Sequence, residues 1–184
     1  LHYPLRRQRQ MCIRDSYLAD QLYPQFYEYT ALFGPLVQSG EYWRLFTVAL
    51  VHGGLTHLFF NMFSLLVLGN PVEEALGKAR FLVIFFISLL TGSLTSIYLT
   101  NQLYVSVGAS GAIFGLFGAF IAMRKMINEG VRDIYVIVGL NFVFGFVLGG
   151  VDWRAHLGGL VGGYLTTAVL LLSLIHISEP TRRS

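Results

Sequence analysis

The chain has one cysteine, Cys12, in 184 residues, which excludes a disulfide framework and gives no support to a cysteine nucleophile. Charge is scarce as well. Asp, Glu, Lys and Arg make up 12% of the chain, against roughly 25% in an ordinary soluble domain. Residues 81–99, 105–123 and 134–151 contain no formally charged side chain at all. There is no His-Glu-x-x-His string and no third clustered ligand beside the histidines, so a zinc site lacks its donors and no metal or cofactor is expected. No stretch reads as a cleavable signal peptide, leaving the apolar segments themselves as the membrane address. Neither a repeat of fixed period nor a low-complexity tract stands out, which points to one polytopic domain without a soluble appendage.

What is present is apolar. Hydrophobic residues reach 54% and the mean hydropathy is +0.60, so the chain belongs in a bilayer. A helix needs about 20 apolar residues to cross a hydrocarbon core of roughly 30 Å. Five segments qualify: residues 55–72, with His57 and Asn61 but no formal charge, 81–99, 105–123, 134–151, and 155–172, carrying only His156. The expected fold class is therefore all-α, a polytopic helical membrane bundle.

The two ends read differently. Residues 1–16 are polar and basic, and residues 173–184 finish as Ile-Ser-Glu-Pro-Thr-Arg-Arg-Ser. Strings at both ends, Met11 to Ser16 and Ser173 to Arg182, resemble translated sequencing-adaptor read-through; the alternative is an ordinary cytoplasmic tail. The expected division is a non-native head (1–16), a membrane domain (17–172) and a non-native tail (173–184). Six of the basic residues lie in these ends, and the interval between them keeps seven Lys or Arg against eight Asp or Glu, a formal charge of about −1. The overall charge of +3 consequently carries no indication of nucleic acid.

Lys and Arg collect on the cytoplasmic side of membrane proteins. The loop from Glu73 to Arg80, with Lys78, and the loop from Arg124 to Arg132 are expected to face the cytoplasm. By alternation, residues 17–54, the uncharged loop 100–104 and residues 152–154 face outward. The outer segment before the first span is rich in aromatics, including Tyr23, Phe26, Tyr27, Tyr29, Phe33, Tyr42 and Trp43, and such a segment more often lies in the interface than spans it. A helix entering from the cytoplasm is expected ahead of it, so one N-terminal span is inferred to be missing.

This topology puts Ser110 and His156 in the same leaflet, each near the outer end of a helix running inward. Ser110 lies five residues past Val105, roughly 8 Å down at about 1.5 Å per residue; His156 starts closer to its interface and needs tilt or side-chain reach to match. Gly108-Ala109-Ser110-Gly111 is a weak signal alone, because Gly111 and Gly115, like Gly159 and Gly163, also form small-residue faces that let helices approach closely. Their placement around Ser110 and after His156 suggests that close packing is how a short serine reaches a histidine. An ionisable group inside a membrane is a functional candidate by default. A neutral imidazole there suits a general base that takes the serine proton during attack and returns it to the leaving amine. His57 and Asn61, four apart on one helical face, suit donors to a developing oxyanion, or plain inter-helix hydrogen bonds. His52 is five residues from His57 and points elsewhere if helical.

These residues resemble the rhomboid intramembrane serine proteases. Trp43-Arg44 is similar to the family's outer-loop motif. His52, His57 and Asn61 match its His-x4-His-x3-Asn helix, Gly108 to Gly111 its Gly-x-Ser-Gly, and Ala155-His156 with Gly159 and Gly163 its last catalytic helix. The resemblance implies a rhomboid-like bundle with five visible transmembrane helices of an expected six, the first core helix being absent. It implies a Ser110 and His156 catalytic dyad, with His57, Asn61 and the Ser110 amide receiving the oxyanion. Phe114 matches an aromatic position that packs on the histidine ring, and Trp43, Arg44, His52 and Glu73 match supports of the outer loop and helix packing. Asp152, four residues before His156, is expected to pair with Arg154 or solvent, since the family works with a dyad.

The implied activity is endopeptidase cleavage of transmembrane protein substrates, at small residues and where the helix unwinds easily near the outer face. The bacterial cytoplasmic membrane is the expected location, with the site opening outward and the lipid bilayer as the other partner. The competing reading is a non-catalytic rhomboid-like protein that binds or escorts membrane helices; such relatives lack the serine or the histidine. A small transporter or channel would require broken helices, paired repeats or carboxylates within spans, and none is visible.

Overall fold

A computed structural model describes residues 22–100, 103–124 and 151–178, together with positions 11, 15, 16, 18, 19 and 136. Apart from positions 136 and 151, the expected span at 134–151 lies outside the described residues, as do most of the expected head and half of the expected tail.

The aromatic outer segment breaks into short pieces: α1 (Pro24–Thr30), a two-residue strand β1 (Leu32–Phe33), α2 (Gly34–Gln38), α3 (Arg44–Thr47) and a 3-10 turn at Val48–Leu50. Prolines at the first turns of α1 and α2 start these helices, where the missing N–H removes no helical bond. None is long enough to span a bilayer. The pieces are held by Arg44, which is buried although charged. Its guanidinium pairs with Glu41 at 2.6 Å and donates to the carbonyls of Glu28 (2.6 Å) and Ala31 (2.8 Å). Trp43 Nε1 donates to the Tyr29 carbonyl at 3.1 Å. One side chain thus satisfies backbone acceptors that a short irregular segment cannot satisfy alone.

Helix α4 (Leu55–Leu76) and helix α5 (Lys78–Leu99) follow, separated only by Gly77. That glycine has φ +82°, a left-handed conformation that side chains with a Cβ disfavour, so the chain turns sharply without a loop. Strand β2 (Val105–Ser106) pairs antiparallel with β1, Leu32 opposite Ser106 and Phe33 opposite Val105. Helix α6 (Ser110–Met123) and helix α7 (Trp153–Ser178) complete the described fold. Among the described residues, Leu55–Leu76, Lys78–Leu99 and Trp153–Ser173 are long and apolar enough to cross a membrane.

The expected span at 105–123 is corrected in its first part. Its helix starts at Ser110 and has 14 residues. The residues before it run extended, because their backbone groups bond outside a helix: Val105 and Ser106 to β1, and the Gly108 N–H to the Val48 carbonyl at 2.9 Å. A helical rise counted from Val105 therefore does not measure the depth of Ser110.

Helix α6 is the centre of the bundle. Gly111 through Phe120 are all buried, with α7 and α5 against it and α4 on a further side. Helices α4, α5 and α7 instead expose apolar flanks, such as Phe59, Phe63 and Val67, Leu82 and Phe86, and Val161, Leu165 and Val169. A central helix hydrophobic all round, ringed by helices with apolar outer faces, is the pattern of a bundle solvated by lipid.

Candidate active site

Close backbone contact builds the site. A Cβ on Gly159 would overlap the carbonyl oxygen of Gly111, and one on Gly163 that of Gly115, so α6 and α7 meet at a distance only glycine permits. A second small-residue face on α7 escaped the sequence reading. Cβ atoms on Gly158 and Gly162 would overlap the Thr95 and Thr91 hydroxyls of α5. Its signal was visible, since Gly158 and Gly162 repeat the four-residue spacing of Gly159 and Gly163.

This packing brings His156 Nε2 to 2.8 Å from Ser110 Oγ, across 46 residues of sequence. His156 and the neighbouring Ala155 are buried, whereas Ser110 is half-buried. The Phe114 ring lies on the imidazole with centroids 4.0 Å apart and planes at 11°, restricting the ring to one plane. Ser110 is the first residue of α6. Its N–H is among those at a helix start that have no intrahelical partner, at the positive end of the helix dipole.

Gly108 sets the entrance to this helix. It has φ +110°, and a Cβ there would stand 2.7 Å from His57 Cε1 and 2.9 Å from Nε2. Only glycine meets both conditions, and the imidazole of His57 thereby sits two residues from Ser110. The Gly53 N–H donates to His57 Nδ1 at 3.2 Å, so the neutral ring carries its proton on Nε2, the nitrogen facing Gly108. Asn61 is buried, and its Nδ2 donates to the His57 carbonyl at 2.9 Å, which uses one of two amide protons.

His52 is not helical, because α4 starts at Leu55 after Gly54. Its buried ring meets that of His57 edge-on, centroids 5.3 Å apart, so the two histidines are neighbours and do not diverge as a continuous helix would require. Burial, reinforced by His57, pushes the His52 imidazole down to about 4, which keeps it neutral at pH 7. Glu73 is buried near the far end of α4, and Trp43 and Arg44 lie in the outer segment; none of the three joins the Ser110 and His156 pair. Among the described residues no group of three or more His, Cys, Asp or Glu could hold a metal ion.

Asp152 requires a correction. It pairs with neither Arg154 nor solvent: it is buried, Oδ2 accepts from the Ser96 hydroxyl on α5, and Oδ1 accepts from the Ala155 N–H at 3.2 Å. Its carbonyl receives the His156 N–H at 3.2 Å. It is the N-cap of α7, a role legible from an aspartate directly before a helical pattern. Arg154 stands over the Trp153 ring instead, 4.8 Å from its centroid.

The site thus holds a serine hydroxyl in hydrogen-bond contact with an imidazole, inside a bundle of apolar helices. The rhomboid domain model matches residues 39–173. Rhomboid protease GluP of Bacillus subtilis (strain 168) is 41% identical over 140 residues, which cover 73% of this chain and 27% of GluP. YdcA of the same strain is 39% identical over 153 residues, 80% of this chain and 73% of YdcA. Inactive RHOMBOID-like protein 8 of Arabidopsis thaliana is 36% identical over 143 residues, 74% of this chain and 40% of that protein. The chain belongs to the rhomboid family, as a multi-pass membrane protein, and it spans about a quarter of GluP.

Proposed function

We propose that this chain is an intramembrane serine endopeptidase working through a Ser110 and His156 dyad. The observation that carries the reading is the 2.8 Å contact between Ser110 Oγ and His156 Nε2. In the proposed reaction, Oγ attacks the scissile carbonyl carbon of a transmembrane substrate while its proton passes to Nε2. The carbonyl oxygen becomes an oxyanion, received by the Ser110 N–H, the Nε2–H of His57 and the second amide proton of Asn61. Collapse of this intermediate breaks the peptide bond, and His156 gives the proton to the leaving amine. A water then attacks the acyl-serine with His156 as base, releasing the new carboxylate and restoring both side chains. Phe114 would hold the imidazole plane through both steps.

The proposed setting is a bacterial cytoplasmic membrane with the site open to the outer face. Substrates would be membrane helices with small residues at the cleaved bond, in a stretch whose helical hydrogen bonds open readily. The similarity to a relative named as inactive supports a second reading, a non-catalytic protein that binds or escorts membrane helices. The presence of both dyad residues, in contact, favours the first.

The deciding measurement is cleavage of a model transmembrane substrate in proteoliposomes, with labelling by a serine-directed fluorophosphonate mapped to its residue. Wild type should cleave and be labelled at Ser110. Ser110→Ala and His156→Ala should each lower kcat by about 10³-fold or more, as loss of a serine nucleophile or its base does elsewhere. His57→Ala should lower kcat by roughly 10- to 10³-fold with little change in KM, the signature of an oxyanion donor. Cleavage by Ser110→Ala equal to wild type would end the protease reading and leave the escort reading.

A further inference from the structure

Helix α5 contributes no group to the proposed chemistry, yet it touches both helices that carry the Ser110 and His156 pair. A Cβ on Gly92 would lie 2.8 Å from the Ala155 carbonyl oxygen and 3.4 Å from the Gly111 Cα. The residue before His156 and the residue after Ser110 therefore rest on the same point of α5. One turn further along α5 stands Ser96, buried, with its hydroxyl on the carboxyl group of Asp152.

The glycine faces let α6 and α7 come close and restrict their relative height, since only glycine fits opposite the Gly111 and Gly115 carbonyls. They are van der Waals contacts, however, with no directional bond among them. A hydrogen bond is steep in distance and angle, and more so when its acceptor is a carboxylate. The Ser96 contact is such a hydrogen bond, and it ties the start of α7 to α5. Asp152 passes that restraint to His156 by two routes: Oδ1 caps the Ala155 N–H, and the main-chain carbonyl receives the His156 N–H.

We infer that Asp152, held by Ser96, is a positioning residue that fixes the axial register of α7, so that the His156 imidazole meets Ser110. The inference rests on the dyad reading and adds a third helix to it. Asp152 does not serve as the acid of a triad. Its carboxyl oxygens are engaged by Ser96 and the Ala155 amide, and its hydrogen bond to His156 runs through the backbone. Without the cap, the first turn of α7 loses its anchor, and a displacement of about 1 Å is enough to cost roughly 10²-fold in rate.

The test compares wild type with Asp152→Asn, Asp152→Ala, Ser96→Ala and the double alanine variant, by kinetics in proteoliposomes and by nitrogen-15 NMR of the His156 ring. The NMR signal of Nε2 reports the contact with Ser110 whether or not turnover occurs. Asp152→Asn keeps an oxygen for the Ala155 N–H and can donate its amide to Ser96 Oγ. Its kcat should stay within about threefold of wild type, and its Nε2 signal should be unmoved. Asp152→Ala should lower kcat by roughly 10- to 10²-fold at nearly constant KM and shift the Nε2 signal. Ser96→Ala, which removes one hydroxyl, should fall between them. The double variant should be no worse than Asp152→Ala, because both changes remove one coupled unit.

Loss in Asp152→Asn as deep as in Asp152→Ala would overturn the inference in favour of a role for the charge itself. Wild-type kcat and Nε2 signals in Asp152→Ala and Ser96→Ala would overturn it outright. Should wild type neither cleave nor take the fluorophosphonate, the protease reading fails by itself. The Nε2 signals of the variants still decide whether Asp152 positions His156.

Discussion

His52 illustrates how a residue can matter to this site without offering a group to substrate. Its ring is buried against His57, and burial keeps it neutral with its imidazole at about 4. In an unfolded chain the same ring would take its proton near 6.5. Above about pH 6.5 the group is neutral in both states and does not affect stability; as the pH falls towards 4 the unfolded chain binds the proton and the folded one resists it. The folded state should thus lose on the order of 3 kcal/mol between pH 7 and pH 4 from this residue. Reversible unfolding in mixed detergent micelles over that range measures it. His52→Leu, which cannot titrate, should flatten the decline, and an equally steep fall in the variant would assign the loss to other groups. A helical His52 points away from His57 in the sequence reading; the contact arises because α4 starts three residues later, after Gly54.

The element that lets Ser110 and His156 approach is α7, through its glycine surface. Gly159 and Gly163 lie under the Gly111 and Gly115 carbonyls of α6, while Gly158 and Gly162 lie under Thr95 and Thr91 of α5. Two adjacent pairs of glycines thus let one helix nest against two neighbours, where van der Waals contact is the main attraction available in lipid. Gly159→Ala inserts a methyl group where an oxygen already stands, so the helices must separate. The variant should be destabilised by about 1–3 kcal/mol, as overpacked interiors are. Its cleavage rate should drop by at least 10-fold, because separation lengthens the contact between Ser110 and His156. Unfolding and kinetics on the same preparation check both. A stable Gly159→Ala variant with unchanged kcat would mean that α7 can shift without moving the imidazole. The first of these glycine faces was readable from spacing alone, and the second was readable but unread.

At the scale of the whole molecule, the arrangement of charge orders the ends of the bundle. Lys78 and Arg80 lie at the turn between α4 and α5, and Arg124 follows α6, whereas Tyr104 and Asp152 lie at the opposite ends of their neighbouring helices. Basic residues are retained on the cytoplasmic side, so the proposed site should open to the outer face. In a Cys12→Ser background, a membrane-impermeant maleimide should label Tyr104→Cys in intact cells and Lys78→Cys only after permeabilisation. The reverse pattern would invert the orientation and place the proposed chemistry at the cytoplasmic surface.

Composition and apolar run length were enough to specify a helical membrane protein, because an apolar run of about 20 residues in lipid satisfies its backbone within itself as a helix. The motifs around Ser110, His156, His57 and Asn61 named the candidate groups, the histidines because an ionisable side chain in an apolar helix is costly. Three features came only from tertiary structure: the extended lead-in to Ser110, held by β1 and Val48; the edge contact of His52 with His57; and the capture of Asp152 by Ser96 on another helix. The first and third depend on hydrogen bonds between segments far apart in the chain, and the second on where α4 starts. Periodicity and propensity act over a few neighbouring residues, so they carry no information about which distant partner a polar group will find.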